Sequence, residues 1–133
     1  MSRLVQKQTK VIFDAASADG AGEVLNVEDF KHIVLEFASE SNADLVVNFK
    51  GAVSDSAPGD FTAAQSPSNL WDYIQVKDLD DGSSVDGSTG ITLSGTDDVR
   101  LLEVNTNLLK WFTAEVSSYS AGNITIKAKM SGE

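Results

Sequence analysis

The 133-residue chain sets twenty Asp and Glu against ten Lys and Arg, a formal charge of −10, with 41% hydrophobic residues and no cysteine. That balance suits one globular domain with a buried core and excludes wholesale disorder, disulfides and thiolate chemistry. No apolar run approaches the ~20 residues of a membrane-crossing helix. Met1 to Lys10 has no apolar stretch behind its basic residues, so export by the general secretory route is not expected.

In chain order, residues 1–10 form a basic arm with Arg3, Lys7 and Lys10 and no acid. The other 123 residues hold seven basic and twenty acidic side chains, a net of −13. Such a body repels phosphate backbones and anionic lipid, which argues against nucleic acid and membrane as partners. The same acids serve solubility, and a basic arm ahead of an acidic body also suits docking on an acidic neighbouring subunit.

Residues 11–133 are expected to form one β-domain. Val11 to Phe13 reads as a first short strand, and Ala18 to Gly22 as a turn. Val27 to Ala38 has two readings. Val27, Phe30, Val34 and Phe37 fit helical spacing behind an Asn26 cap, whereas Ile33, Leu35 and Phe37 make one face of a strand. An internal match favours the strand. Lys31 to Ala52 aligns without a gap on Lys110 to Ser131, pairing Ile33 with Phe112, Phe37 with Val116, Leu45 with Ile124 and Val47 with Ile126. The second copy is rich in aromatic and β-branched residues, as strands are. In each copy a small-polar stretch (Ser39 to Asp44, Ser118 to Asn123) divides two apolar runs, so both copies are expected to be β-hairpins.

Between the copies, Val53 to Asn69 contains Pro58, Gly59 and Pro67 and reads as a long loop, a length usually kept for a contact. Leu70 to Val76, Ile91 to Leu93 and Val99 to Val104 read as strands, and Asp78 to Gly90 as a second loop. The sum is an all-β, single-domain β-sandwich, jelly-roll-like, of about eight short strands.

Catalytic signatures are scarce. His32 is the one histidine, and no serine sits in a Gly-x-Ser-x-Gly elbow. No phosphate-binding glycine loop or His/Cys metal spacing occurs. Most acids fall in turns, where solvation explains them better than a glycosidase pair does. Asp78, Asp80 and Ser84 around Gly82 resemble the first half of a calcium loop, but the closing bidentate glutamate is missing and turn chemistry accounts for the same residues. No enzyme activity, cofactor or metal is expected. Trp71, Tyr73 and Trp111 form either a sugar-stacking platform or, more commonly at strand positions, core or subunit interface.

Four pieces taken together carry a resemblance: Asp44 to Gly51, Gln65 to Tyr73, Asp78 to Ser84, and Thr96 to Arg100 with Leu109 to Trp111. The set resembles a family of small proteins encoded in structural-gene regions of tailed bacteriophages. The resemblance covers most of Phe30 to Lys129 and not the basic arm. It implies a virion component, with capsid decoration on the head surface ahead of a tail or fibre position. The implied partners are the major capsid protein and further copies of the chain, a trimer being the expected oligomer. A carbohydrate-binding β-sandwich is the rival, separated by the exposure of Trp71 and Trp111. Candidate interface residues are Arg3, Lys7 and Lys10 in the arm, Phe61 in the long loop, and Trp71, Tyr73 and Trp111.

Overall fold

A computed structural model describes residues 7–132. It has ten strands: β1 (Lys7–Ala16), β2 (Gly20–Ala21), β3 (Leu25–Asn26), β4 (His32–Ala52), β5 (Asp72–Tyr73), β6 (Val76–Asp78), β7 (Ser84–Val85), β8 (Ile91–Ser94), β9 (Val99–Val104) and β10 (Trp111–Ser131). There is no helix among the described residues. All ten strands pair into one antiparallel sheet whose main path runs β1-β10-β4-β9-β6-β7, with β2 and β3 on β10, and β5 and β8 on β4. The sequence led us to expect eight short strands; the chain instead builds its sheet around two strands of 21 residues each.

Those two strands are the aligned copies, and neither is a hairpin. Each small-polar stretch is a bulge inside one strand, not a reversal. Ser41 and Asn42 in β4 and Ser118 and Gly122 in β10 take positive φ, which bends each strand without turning it back. Only small or polar residues tolerate that backbone at low cost. Gly122 is required twice over. Its φ is +77°, and a Cβ there would lie 2.4 Å from Ala43 Cα.

The copies pair with each other along their whole length, from Trp111 opposite Ala52 to Ser131 opposite His32. The cross-strand pair Phe37 and Ile126 corresponds, copy for copy, to the pair Val116 and Val47. A local twofold axis near the bulges therefore relates the two halves of this central ribbon. Burial follows the same symmetry. Ile33, Leu35, Phe37, Leu45, Val47 and Phe49 on β4 are buried, as are Phe112, Ala114, Val116, Ile124, Ile126 and Ala128 on β10. Period-two alternation gives each strand one apolar face, and those faces belong to a single core cluster, while Asn48, Lys50, Ala52 and Thr113 on the other face are buried too.

The remaining elements follow sequence signals with shifted limits. The strand expected at Val11 runs from Lys7, so the end of the basic arm is sheet, paired from Lys7 opposite Ser131 to Val11 opposite Lys127. The helical spacing around Val27 has a local counterpart: Asn26 Oδ1 accepts the Glu28 N–H at 3.1 Å, and Phe30 N–H donates to Val27 O at 3.1 Å. One turn forms, and the strand takes over at His32. Val99 to Val104 is β9 as expected, while Leu70 to Val76 yields only β5 and the first residue of β6.

Candidate functional site

The candidate aromatic residues converge on one end of the central ribbon. Phe61 and Trp71 are buried with Ala52 in a small second cluster, and Trp111, half-buried, packs against it. Trp71 and Tyr73 meet edge to face with ring centroids 5.0 Å apart.

At the centre of this group is Lys50, a residue that pattern reading passed over. It occupies the face of β4 opposite the main core, yet it is 3% exposed. A buried ammonium is costly unless its donors are used. Here Nζ lies 2.6 Å from Glu115 Oε1, donates to the Phe61 carbonyl at 2.6 Å, and sits 4.0 Å from the Trp71 ring centroid and 5.4 Å from that of Tyr73. The carboxylate neutralises the charge, and the ring face supplies further electrostatic attraction.

These contacts fasten the loop that covers them. Trp71 Nε1–H donates to Ala63 O at 3.0 Å and Trp111 Nε1–H to Ser54 O at 2.9 Å. Asn69 Nδ2 donates to Asp60 O at 2.7 Å and Ala64 O at 3.2 Å, and Gln65 Nε2 donates to Trp71 O at 2.7 Å. The loop from Val53 to Asn69 is thus a compact Ω-type structure packed by its own side chains. The Thr62 hydroxyl and backbone N–H both donate to Asp60 Oδ1, at 2.6 and 2.8 Å, and they hold the Asp60 carboxyl below its ordinary value of 3.8.

This arrangement settles what each aromatic side chain can do. Phe61 and Trp71 are spent inside the chain as anchors of the loop. A buried Trp71 offers no ring face for a sugar, which removes the centre of the stacking platform. Tyr73 remains 39% exposed. The apolar surface that does reach solvent at this end is Val53, Leu70 and Leu108. Val53 shares one surface groove with Leu70 and an adjoining one with Leu108. Leu108 is 87% exposed and has φ +60°, a backbone that costs a leucine about 1–2 kcal/mol. The sequence carried one sign of it: Leu108 and Leu109 are adjacent in a turn, and only Leu109 can face the core.

The basic candidates lie elsewhere. Lys7 and Lys10 are exposed on β1, whose ladder partner β10 adds Lys127 and Lys129. Arg3 falls outside the described residues. Strand β1 ends the main path of the sheet, and its stretch Lys7 to Val11 has no second strand partner among the described residues.

The Asp78 loop uses its oxygens internally. Asp78 Oδ1 accepts the Asp80 N–H at 3.0 Å, its Oδ2 lies 3.4 Å from Arg100 Nη1, and Asp81 Oδ1 accepts the Ser83 N–H at 2.9 Å. The Ser83 hydroxyl and backbone N–H hold Asp81 below the ordinary carboxyl value. Among the described residues no three His, Cys, Asp or Glu side chains converge as metal ligands. His32 is exposed at the start of β4.

No known family matches the sequence, and no curated protein matches it. Two solved structures share its fold. The SPBc2 prophage-derived protein YomS superposes with a TM-score of 0.72 at 13% identity, over 98% of this chain and 97% of that one. The PBSX exported protein XepA superposes with a TM-score of 0.71 at 16% identity, over 98% of this chain but 39% of its own length. At these identities the likeness is one of fold. Its extent is the informative part: the superposition takes in nearly the whole of this chain and of a prophage-derived protein.

Proposed function

We propose that this chain is a structural component of a tailed-bacteriophage particle, a decoration protein that binds the assembled head. The observation that carries the reading is the fold shared with YomS across nearly the full length of both chains. The resemblance of the four pieces Asp44 to Gly51, Gln65 to Tyr73, Asp78 to Ser84, and Thr96 to Arg100 with Leu109 to Trp111 points the same way, although no family model matches the sequence. In this reading the exposed Val53 and Leu70, at the two ends of the loop that Lys50 and Trp71 fasten, contact the major capsid protein together with Leu108 of the β9–β10 turn. Pre-ordering that loop removes part of the entropy cost of binding. Repetition of a modest contact over the head lattice, with copies also contacting one another, gives firm attachment through multivalency. The role is binding rather than catalysis.

The reading includes a two-layered arrangement of the sheet. The bulges in β4 and β10 divide the ribbon into halves, and the buried residues of both halves belong to one cluster. With no helix among the described residues to cover the apolar face of the sheet, the halves cover each other, which makes a sandwich from a single hydrogen-bonded sheet.

XepA is an exported protein, and the shared fold favours a second reading, a phage product released from the infected cell. One fractionation separates the readings. Phage particles are purified, heads and tails are resolved, and this chain is quantified against the major capsid protein in each fraction. Decoration requires a copy number in tail-free heads comparable to that of the major capsid protein. Recovery only with tails overturns decoration in favour of a tail or fibre component. Recovery only in the particle-free supernatant supports release. Heads lacking the protein should assemble but burst more readily on heating, since a ligand of the assembled shell stabilises it by linkage.

A further inference from the structure

We propose that copies of this chain associate head to tail, the basic β1 edge of one copy docking on an acidic corner formed by β6 and the β8–β9 loop in the next. The inference rests on the self-association in the reading above, but not on attachment to a capsid.

The basic edge carries Lys7 on β1 with Lys127 and Lys129 on β10 on one face of the strand pair, and Lys10, opposite Ala128, on the other face of the same edge strand. Four of the ten cationic side chains of the sequence thus lie on one strand pair of a strongly acidic molecule. Lys129 lies 3.4 Å from Glu36, and the other three have no ion-pair partner among the described residues. A groove of about 390 Å³ opens beside Lys7 and Lys129, lined also by Thr9, His32 and Val34. Backbone hydrogen-bonding capacity along Lys7 to Val11 is unused by any second strand, and Val11 is exposed on the same edge.

Away from the β1 edge, Asp78 at the end of β6 and Asp80 and Asp81 in the β6–β7 turn adjoin Asp97 and Asp98 of the β8–β9 loop, which is hydrogen-bonded to the β4 bulge through Asn42 and Ser39. Arg100 ties the two together, 2.6 Å from Asp98 Oδ2 and 3.4 Å from Asp78 Oδ2. One cation among five acids leaves the corner strongly negative. Its groove, about 670 Å³, is floored by the exposed Leu79, Val99 and Leu101. Exposed apolar residues inside a charged rim mark contact surfaces.

Charge selects the geometry. Two β1 edges facing each other would oppose Lys7 and Lys10 to their own copies, and two acidic corners would repel likewise. The complementary surfaces are different patches of one molecule, the β1 edge and the region of β6 and the β8–β9 loop, so the contact is heterologous and propagates from copy to copy until rotation closes a ring. Opposite potentials steer the encounter, and the apolar floor contributes area that salt does not screen.

The test uses the full chain and sedimentation velocity. At low salt the wild-type protein should form oligomers, and association should weaken by about tenfold or more on raising salt severalfold, because exposed charges lose their reach beyond the Debye length. K7E/K10E should be monomeric, and so should D80K/D81K; D80K alone, which leaves every turn hydrogen bond of the loop in place, should weaken association in the same direction. The fourfold variant K7E/K10E/D80K/D81K restores complementarity with reversed signs and should associate again. Circular dichroism verifies the fold of each variant. A wild type that stays monomeric at low salt overturns the proposal. So does a K7E/K10E protein that associates like wild type, or a folded fourfold variant that remains monomeric. Any of these results leaves capsid attachment, read from copy number in heads, to stand or fall on its own measurement.

Discussion

Removing the Lys50 ammonium tests the idea that one buried cation organises the loop end. Lys50→Met keeps most of the side-chain volume and deletes the charge. It leaves Glu115, 18% exposed, without its partner at 2.6 Å, and the Phe61 carbonyl without its donor. Breaking a fully buried ion pair from one side costs about 3–5 kcal/mol, and a desolvated cation–π contact adds about 1–2 kcal/mol. Water reaching Glu115 recovers part of this, so the expected loss is about 2–4 kcal/mol. Denaturant unfolding followed by tryptophan fluorescence reads the global value. Hydrogen exchange across residues 53–71 reads the local one, and protection should fall there more than in β4 or β10. The double variant Lys50→Met/Glu115→Leu should regain much of the stability, since it leaves no unpaired carboxylate. A loss below about 1 kcal/mol in the single variant, with unchanged loop protection, would refute the reasoning and reduce Lys50–Glu115 to an ordinary surface pair.

Gly122→Ala should destabilise the domain by about 2–4 kcal/mol in chemical denaturation, because it combines a positive-φ penalty with a Cβ driven into the β4 backbone. Leu108→Asn should act the other way, raising stability by about 0.5–1 kcal/mol, as Asn tolerates φ +60° and an 87% exposed leucine loses no burial. For Asp60 the sign follows from its lowered folded-state pKa. The unfolded chain takes up the proton more readily, so the contribution of Asp60 is present above the ordinary value of 3.8 and is lost as pH falls through the lower folded value. An NMR titration should place Asp60 below that ordinary value in the wild type and return it towards it in Thr62→Val; identical titrations would remove Thr62 as the cause.

Much of this fold is visible in local pattern. Alternation at Ile33, Leu35 and Phe37 and again at Leu45, Val47 and Phe49 marks strands with one apolar face, because side chains on a pleated backbone point to opposite sides in turn. The gapless match of Lys31 to Ala52 with Lys110 to Ser131 identifies two equivalent elements, and Asn26, Pro58 and Gly82 mark turns. Which residues gather at the loop end was also partly legible, since Phe61, Trp71, Tyr73 and Trp111 were singled out and do meet. Their roles were not. A small-polar stretch such as Ser39 to Asp44 has the same composition whether the chain reverses there or bulges and runs on. The choice depends on which strand lies alongside, and only the partner copy, some eighty residues away in sequence, makes the long bent pairing cheaper than two separate hairpins. Lys50 shows the same limit. A lysine at an outward position reads as solvated, and it is buried here because the fold lowers the loop over it and brings Glu115, from the other copy, within reach of its charge. Local chemistry determines which face of a strand is apolar, and non-local pairing determines what covers each face.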